Sequence, residues 1–266
     1  MKSIAGQKIG VLDSGVGGLT VVKALQELLP AEGIVYYGDS ANVPYGNKEQ
    51  AELLRLMNNI LDFMESQEVK CIAVGCNTLS TLYDFYAPSR KTKIFSIVEA
   101  GVRKVLADNI NKVGVVASEF TIKTGWYARL IHMQNPNVKV WGAGNHDLAS
   151  LIDTGCFAAV PSNIKENLKV IRTMGSPQHI ILACTHYPIV MREWEKAAPD
   201  VTFIDPAIEM AAMIKEWLIE NNLQQHQKEK EHAVEIYTSG DPEIYGKMCE
   251  HIVIQNTDKI VKHILN

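Results

Sequence analysis

Two cysteines of this 266-residue chain stand in near-matching surroundings. Cys76 closes the run Ile72-Ala73-Val74-Gly75-Cys76 and is followed by Asn77 and Thr78; Cys184 closes Ile180-Ile181-Leu182-Ala183-Cys184 and is followed by Thr185 and His186. Each thiol comes where a buried strand should end, with hydrogen-bonding residues directly after it. A thiol near a helix N-terminus or a histidine can lose its proton more readily than usual and serve as a base. Two such thiols, one in each half of the chain, predict two acid/base groups that face one substrate from opposite sides. Such a pair can take a proton from one face of a carbon and return one to the other without a cofactor.

Other chemistries fit parts of this pattern. Cys76, Cys184 and His186 could all donate to zinc, but the close Cys-x-x-Cys pairs typical of structural zinc sites are absent. One cysteine with His186 could form a nucleophile and base, which would leave the second thiol without a role. Cys71, inside an apolar run, reads as a small buried hydrophobe, and Cys156 and Cys249 show no chemical context. His132, His146, His179 and His232 read as solvent-facing or uninformative. Two loops join the cysteines at strand ends. Asp13-Ser14-Gly15-Val16-Gly17-Gly18 has the glycines for a tight strand-to-helix turn whose exposed amides suit an anion. Its third glycine directly follows the second, so it is not the dinucleotide fingerprint. Residues 38–46, Gly-Asp-Ser-Ala-Asn-Val-Pro-Tyr-Gly, are too rich in turn formers for helix or strand. They read as a binding loop or as a surface loop with an Asx turn at Asp39.

The elements that must hold these residues alternate. Strands are expected at 8–12, 33–37 and 71–74, and helices at 19–29, ending before Pro30, and at 49–65. This alternation implies βαβ units and a mostly parallel sheet, with functional loops beyond the carboxyl ends of the strands. Residues 8–12 resemble 112–116, and 35–38 resemble 139–142, both 104 residues on; the two cysteines are 108 apart. The expectation is two pseudo-symmetric α/β lobes, each a mostly parallel sheet flanked by helices, with the active site in the cleft between them. The first lobe is expected to take residues 1–97 plus 206–266, and the second 98–205. A strand at 235–237 and a largely helical 241–264 would return the chain to the first lobe.

Composition narrows the functional classes. A net charge of −4 with scattered cations argues against nucleic-acid binding. The one dense charged stretch, 224–232, mixes both signs and reads as a solvated loop. No apolar run is long enough to cross a membrane, and the N-terminal residues lack a signal-peptide core. Five cysteines without framework spacing point to reduced thiols in the cytosol, so a cytoplasmic protein is expected.

Together the 13–18 loop, Tyr37-Gly38-Asp39-Ser40, Val43-Pro44-Tyr45-Gly46, Cys76-Asn77-Thr78 and Cys184-Thr185-His186-Tyr187-Pro188 closely resemble the glutamate racemases of the cofactor-independent aspartate/glutamate racemase superfamily. The motifs fall in order over nearly the whole chain, and Tyr237-Thr238-Ser239-Gly240-Asp241 resembles the family's last strand and loop. The resemblance implies interconversion of L- and D-glutamate, supplying D-glutamate for peptidoglycan, with no cofactor and no metal. By position, Cys76 would act on the D-enantiomer and Cys184 on the L-enantiomer, assisted by Asp13 and His186 respectively. Ser14, Asn77, Thr78, Ser118, Thr121 and Thr185 would hold the substrate's charged groups, and Pro44, Tyr45 and Gly46 would complete the pocket. The implied partner is a small molecule, glutamate, with a homodimer as the candidate assembly. The chain departs from the family at Leu79-Ser80, at Ala117-Ser118 and over 144–153, where Asp153 is the candidate for a family glutamate. That stretch makes aspartate or another amino acid, or binding without turnover, the alternative functions.

Overall fold

A computed structural model describes residues 4–225 and 233–265. The strands are β1 (Ile9–Asp13), β2 (Ile34–Gly38), β3 (Cys71–Val74), β4 (Lys93–Ser96), β5 (Lys112–Ala117), β6 (Lys139–Gly144), β7 (His179–Ala183), β8 (Thr202–Ile204), β9 (Val234–Thr238) and β10 (Thr257–Lys262). The helices are α1 (Leu19–Leu28), α2 (Gln50–Ser66), α3 (Asn77–Ser80), α4 (Tyr83–Tyr86), α5 (Ile97–Ala107), α6 (Glu119–Thr124), α7 (Trp126–Gln134), α8 (Leu148–Asp153), α9 (Val160–Met174), α10 (Met191–Ala197), α11 (Pro206–Glu220) and α12 (Pro242–Ile252).

The strands form two sheets, ordered β10-β9-β2-β1-β3-β4 and β6-β5-β7-β8, and every strand pair is parallel. Parallel strands covered by helices on both faces must be apolar throughout. β1, β2 and β3 are accordingly buried at every position. The run β2-β1-β3-β4 has the same order as β6-β5-β7-β8, so β1 corresponds to β5 and β3 to β7. This is the structural form of the internal repeat, and it makes the two cysteines equivalent by position: Cys76 comes directly after Gly75 at the end of β3, and Cys184 directly after β7.

The expected strands and helices of the first 74 residues lie within a residue or two of the observed ones. The expected helix over 241–264 does not. It stops at Ile252, because Val253 takes a left-handed conformation (φ 62°) that ends the helix. The chain then turns into β10, which pairs with β9. The sequence Thr-Asp-Lys-Ile-Val-Lys is short and β-branched, and a sheet edge satisfies it better than a helix end. Most of the charged stretch at 224–232, from 226 on, lies outside the described residues.

Candidate active site

The carboxyl ends of β1, β3, β5 and β7 converge on a cavity of about 480 Å³, a size suited to a small molecule. Eleven of the thirteen residues expected at the site line it: Ser14, Pro44, Tyr45, Gly46, Cys76, Asn77, Thr78, Ser118, Cys184, Thr185 and His186. Asp13 and Thr121 do not. Asp13 is fully buried behind the wall, and Thr121 sits one layer behind Ser118, to which its hydroxyl lies at 3.1 Å. Ser118 caps α6 by accepting from the Thr121 N–H. Among the described residues no lysine or arginine lines the cavity, so an acidic ligand must be met by neutral donors and by histidine.

Cys76 is buried at the N-terminus of α3. Burial, and then the nearby Asp13 carboxyl, push its thiol up to about 12, against hydrogen bonds from the Leu79 N–H and the Ser14 hydroxyl. Asp13 itself is raised by burial, and the charge of His186 and hydrogen bonds from Gly15, Thr185 and Ser14 hold it back. The Gly15 N–H donates to Asp13 Oδ1 at 3.1 Å and the Thr185 hydroxyl to Oδ2 at 3.0 Å. Thr185 lies just beyond β7, so this last bond joins the two halves of the repeat.

On the other side, His186 Nδ1 lies 3.7 Å from Cys184 Sγ, and its Nε2 lies 2.8 Å from Asp153 Oδ1. Burial alone would lower the His186 pKa. Asp153, by charge and hydrogen bond, and Cys184 outweigh it and hold the ring well above its usual range. A charged imidazole beside Cys184 is placed to compensate negative charge on that sulfur. Gly17 makes the approach possible: a Cβ there would lie 2.5 Å from Thr185 Oγ1 and 2.6 Å from His186 Nδ1. The glycine loop is thus the surface against which the Thr185-His186 pair packs.

The residues around this core show how each wall is held. Asp39 accepts from the Tyr45 hydroxyl at 2.6 Å, the Ser239 hydroxyl at 2.7 Å and the Asn42 amide at 2.9 Å. It is the post on which the 38–46 loop stands, and Phe120 of α6 meets that loop from the other half. The 144–153 stretch forms the opposite wall. Asn145 Oδ1 accepts from the backbone N–H groups of Asp147 and Leu148, at 3.1 and 2.9 Å, and so starts α8. The end of α8 then carries Asp153 to His186. His146, expected from sequence to face solvent, is exposed but lies at the cavity mouth beside Asp147 and Glu119. The sequence signals for these wall residues are weak: Asp39 and Asn145 look like ordinary turn formers, and Tyr127, which bonds to Asn77 at 2.7 Å, like a core aromatic.

Among the described residues no helix is long and apolar enough to cross a membrane, and no three His, Cys, Asp or Glu side chains group to hold a metal. Residues 9–214 match the family model for Asp/Glu/Hydantoin racemase. Glutamate racemase 1 of Caldanaerobacter subterraneus is 33% identical over 225 residues, covering 83% of each chain. The glutamate racemase of Thermoanaerobacter pseudethanolicus is 30% identical over 257 residues, 95% of this chain and 96% of that one. The crystal structure of the Francisella tularensis glutamate racemase in complex with D-glutamate superposes with a TM-score of 0.87 at 34% identity, covering 98% of both chains. The chain belongs to the Asp/Glu/Hydantoin racemase family.

Proposed function

We propose that this enzyme interconverts L- and D-glutamate by two-base proton transfer between Cys76 and Cys184. The observation that carries the reading is the pair of thiols, at equivalent positions of the two halves, both lining one cavity, with Asp13 near one and His186 beside the other. With L-glutamate bound, the Cys184 thiolate takes the α-proton while the protonated Cys76 thiol gives its proton to the opposite face of the carbanion. D-glutamate leaves, with Cys184 now a thiol and Cys76 a thiolate; the reverse reaction or exchange with solvent restores the start. Burial and Asp13 keep Cys76 protonated, so that a proton is in place on that face, and the charged His186 ring suits a neighbour that carries negative charge. Asp13 and His186 assist their respective sulfurs. Hydroxyl and amide donors from Ser14, Asn77, Thr78, Ser118 and Thr185 hold the substrate's charged groups, and such bonds to ionised groups are stronger than those between neutral ones. Pro44, Tyr45 and Gly46 close the pocket, and Thr121 acts from behind through Ser118. The same reading assigns residues 1–97 with 206–266 to one lobe and 98–205 to the other. It makes D-glutamate for the cell wall the product that matters.

The deciding experiment incubates the purified protein with L-glutamate, and separately L-aspartate, in deuterated water under reductant. Circular dichroism follows loss of optical activity and NMR follows the α-proton. Loss of signal with L-glutamate, with α-deuterium in the product, is the expected result. Turnover of aspartate alone would overturn the substrate assignment and make the 144–153 wall the specificity element; turnover of neither would overturn the catalytic reading.

A further inference from the structure

Asn77 opens α3 directly after Cys76, with its side chain buried on the cavity wall. Its two amide ends are in different situations. Oδ1 accepts from the Tyr127 hydroxyl at 2.7 Å. Nδ2 is buried and has no hydrogen-bond partner among the described residues. A buried donor without a partner is costly and is rarely kept without a reason. Tyr127 is only 3% exposed and comes from α7, on the other half of the repeat. The backbone of α5 makes way for its ring: a Cβ at Gly101 would lie 2.9 Å from Tyr127 Cε1 and 3.2 Å from its hydroxyl. Glycine inside a helix costs stability, and the Tyr127 ring accounts for this one.

We propose that Tyr127 is a positioning residue. By donating to Oδ1 it leaves the NH2 group, unpartnered at the cavity wall, as the end of the Asn77 amide that donates to a carboxylate oxygen of the bound amino acid. An amide can present either end after a half-turn. Without the phenol, Asn77 is free to turn its carbonyl oxygen towards the ligand, which a carboxylate repels. Because the two residues belong to opposite halves, the bond also ties the carboxylate-binding amide to the spacing between them. The naming of the ligand rests on the racemase reading above; the contact does not.

The test compares wild type, Tyr127→Phe, Asn77→Ala and the double variant, with thermal unfolding as the control for folding. Tyr127→Phe keeps the ring and removes only the hydroxyl. It is expected to raise the KM for both glutamate enantiomers about tenfold, with kcat changed less than about threefold, the signature of a lost binding contact. In the Asn77→Ala background the same change should do nothing further, because Tyr127 acts through Asn77. A KM within twofold of wild type, or equal effects in both backgrounds, would overturn the proposal. Should Tyr127→Phe not fold, Gly101→Ala keeps the hydroxyl but displaces the ring, and an unchanged KM there overturns it equally. Should wild type not turn over glutamate, the substrate reading fails, and the side-chain carbonyl carbon resonance of Asn77 decides the contact by itself. Tyr127→Phe should shift it upfield; an unmoved resonance would refute the contact.

Discussion

The two sulfurs of the site sit in opposite electrical surroundings. Cys76 is buried near a carboxyl group that favours the protonated thiol, whereas Cys184 has an imidazole at 3.7 Å that Asp153 keeps charged. Asp153→Asn keeps a hydrogen-bonding atom near His186 but removes the charge. Burial then dominates and the ring's pKa falls. The stability that the charged pair contributes is complete below the unfolded value of about 6.5 and fades as pH rises through the higher folded value. The variant lacks this contribution. We expect kcat to fall roughly tenfold or more and the alkaline limb of the pH–rate profile to move to lower pH. A profile that superimposes on wild type would remove Asp153 from the mechanism. At this scale the sequence is informative where chemistry is local. Cys76, Cys184 and His186 stand out because apolar strand residues give way to polar ones at their own positions in the chain. Asp153 and Tyr127 do not, because each reaches its partner across 33 and 50 residues respectively, and nothing in their neighbours marks the approach.

At the level of elements, two Asp-Pro pairs show how sequence sets a helix start. Asp205 accepts from the Ala207 N–H at 2.9 Å and Asp241 from the Glu243 N–H at 3.0 Å, with Pro206 and Pro242 as the first helical residues. Their surroundings differ. Asp241 is exposed, but burial raises Asp205 to about 6, only partly offset by the Ala207 N–H. A carboxyl raised in the folded state contributes stability that is complete below its unfolded value of about 4 and lost as pH rises through about 6. Asparagine caps as well as aspartate does and does not titrate. Asp205→Asn should therefore stabilise the protein by about 1–2 kcal/mol at pH 7.5, with the difference vanishing near pH 4. A variant less stable than wild type at pH 7.5, by thermal or urea unfolding, would show that the charge itself holds α11 in place. The same local signals explain which parts of the fold are legible in the sequence. Buried parallel strands read as unbroken apolar runs, and helices with caps and breakers read cleanly. β10 is not legible in this way, because an edge strand only partly buried against β9 has no apolar run to betray it, and its partner β9 lies on the far side of α12 in the chain.

The whole molecule presents two equivalent strand ends to a single cavity, and the reaction proposed for it joins two mirror-image molecules. Enantiomers have equal free energy, so at equilibrium neither is favoured, and kcat/KM must be the same in both directions. A lesion on one side of the cleft therefore cannot slow one direction alone; racemisation rates by themselves do not reveal which half serves which enantiomer. Proton exchange does. In Cys76→Ala, Cys184 can still remove the α-proton of L-glutamate and return a deuteron to the same face, but no group waits on the other face. The expected outcome in deuterated water is α-deuterium in L-glutamate without inversion, while D-glutamate keeps its proton. Cys184→Ala should show the reverse. Both should lose racemisation by a factor of about 10² or more, and Cys71→Ala, whose thiol is in the core of the first sheet, should keep it. If either single-cysteine variant exchanged both enantiomers, the cavity would hold a third base and the one-thiol-per-half assignment would be wrong. The strict pattern would instead tie the division of labour to the fold itself. Bonds that cross between the halves at the site, among them Thr185 to Asp13 at 3.0 Å and Tyr127 to Asn77 at 2.7 Å, would then be what keeps two one-sided catalysts aimed at one carbon.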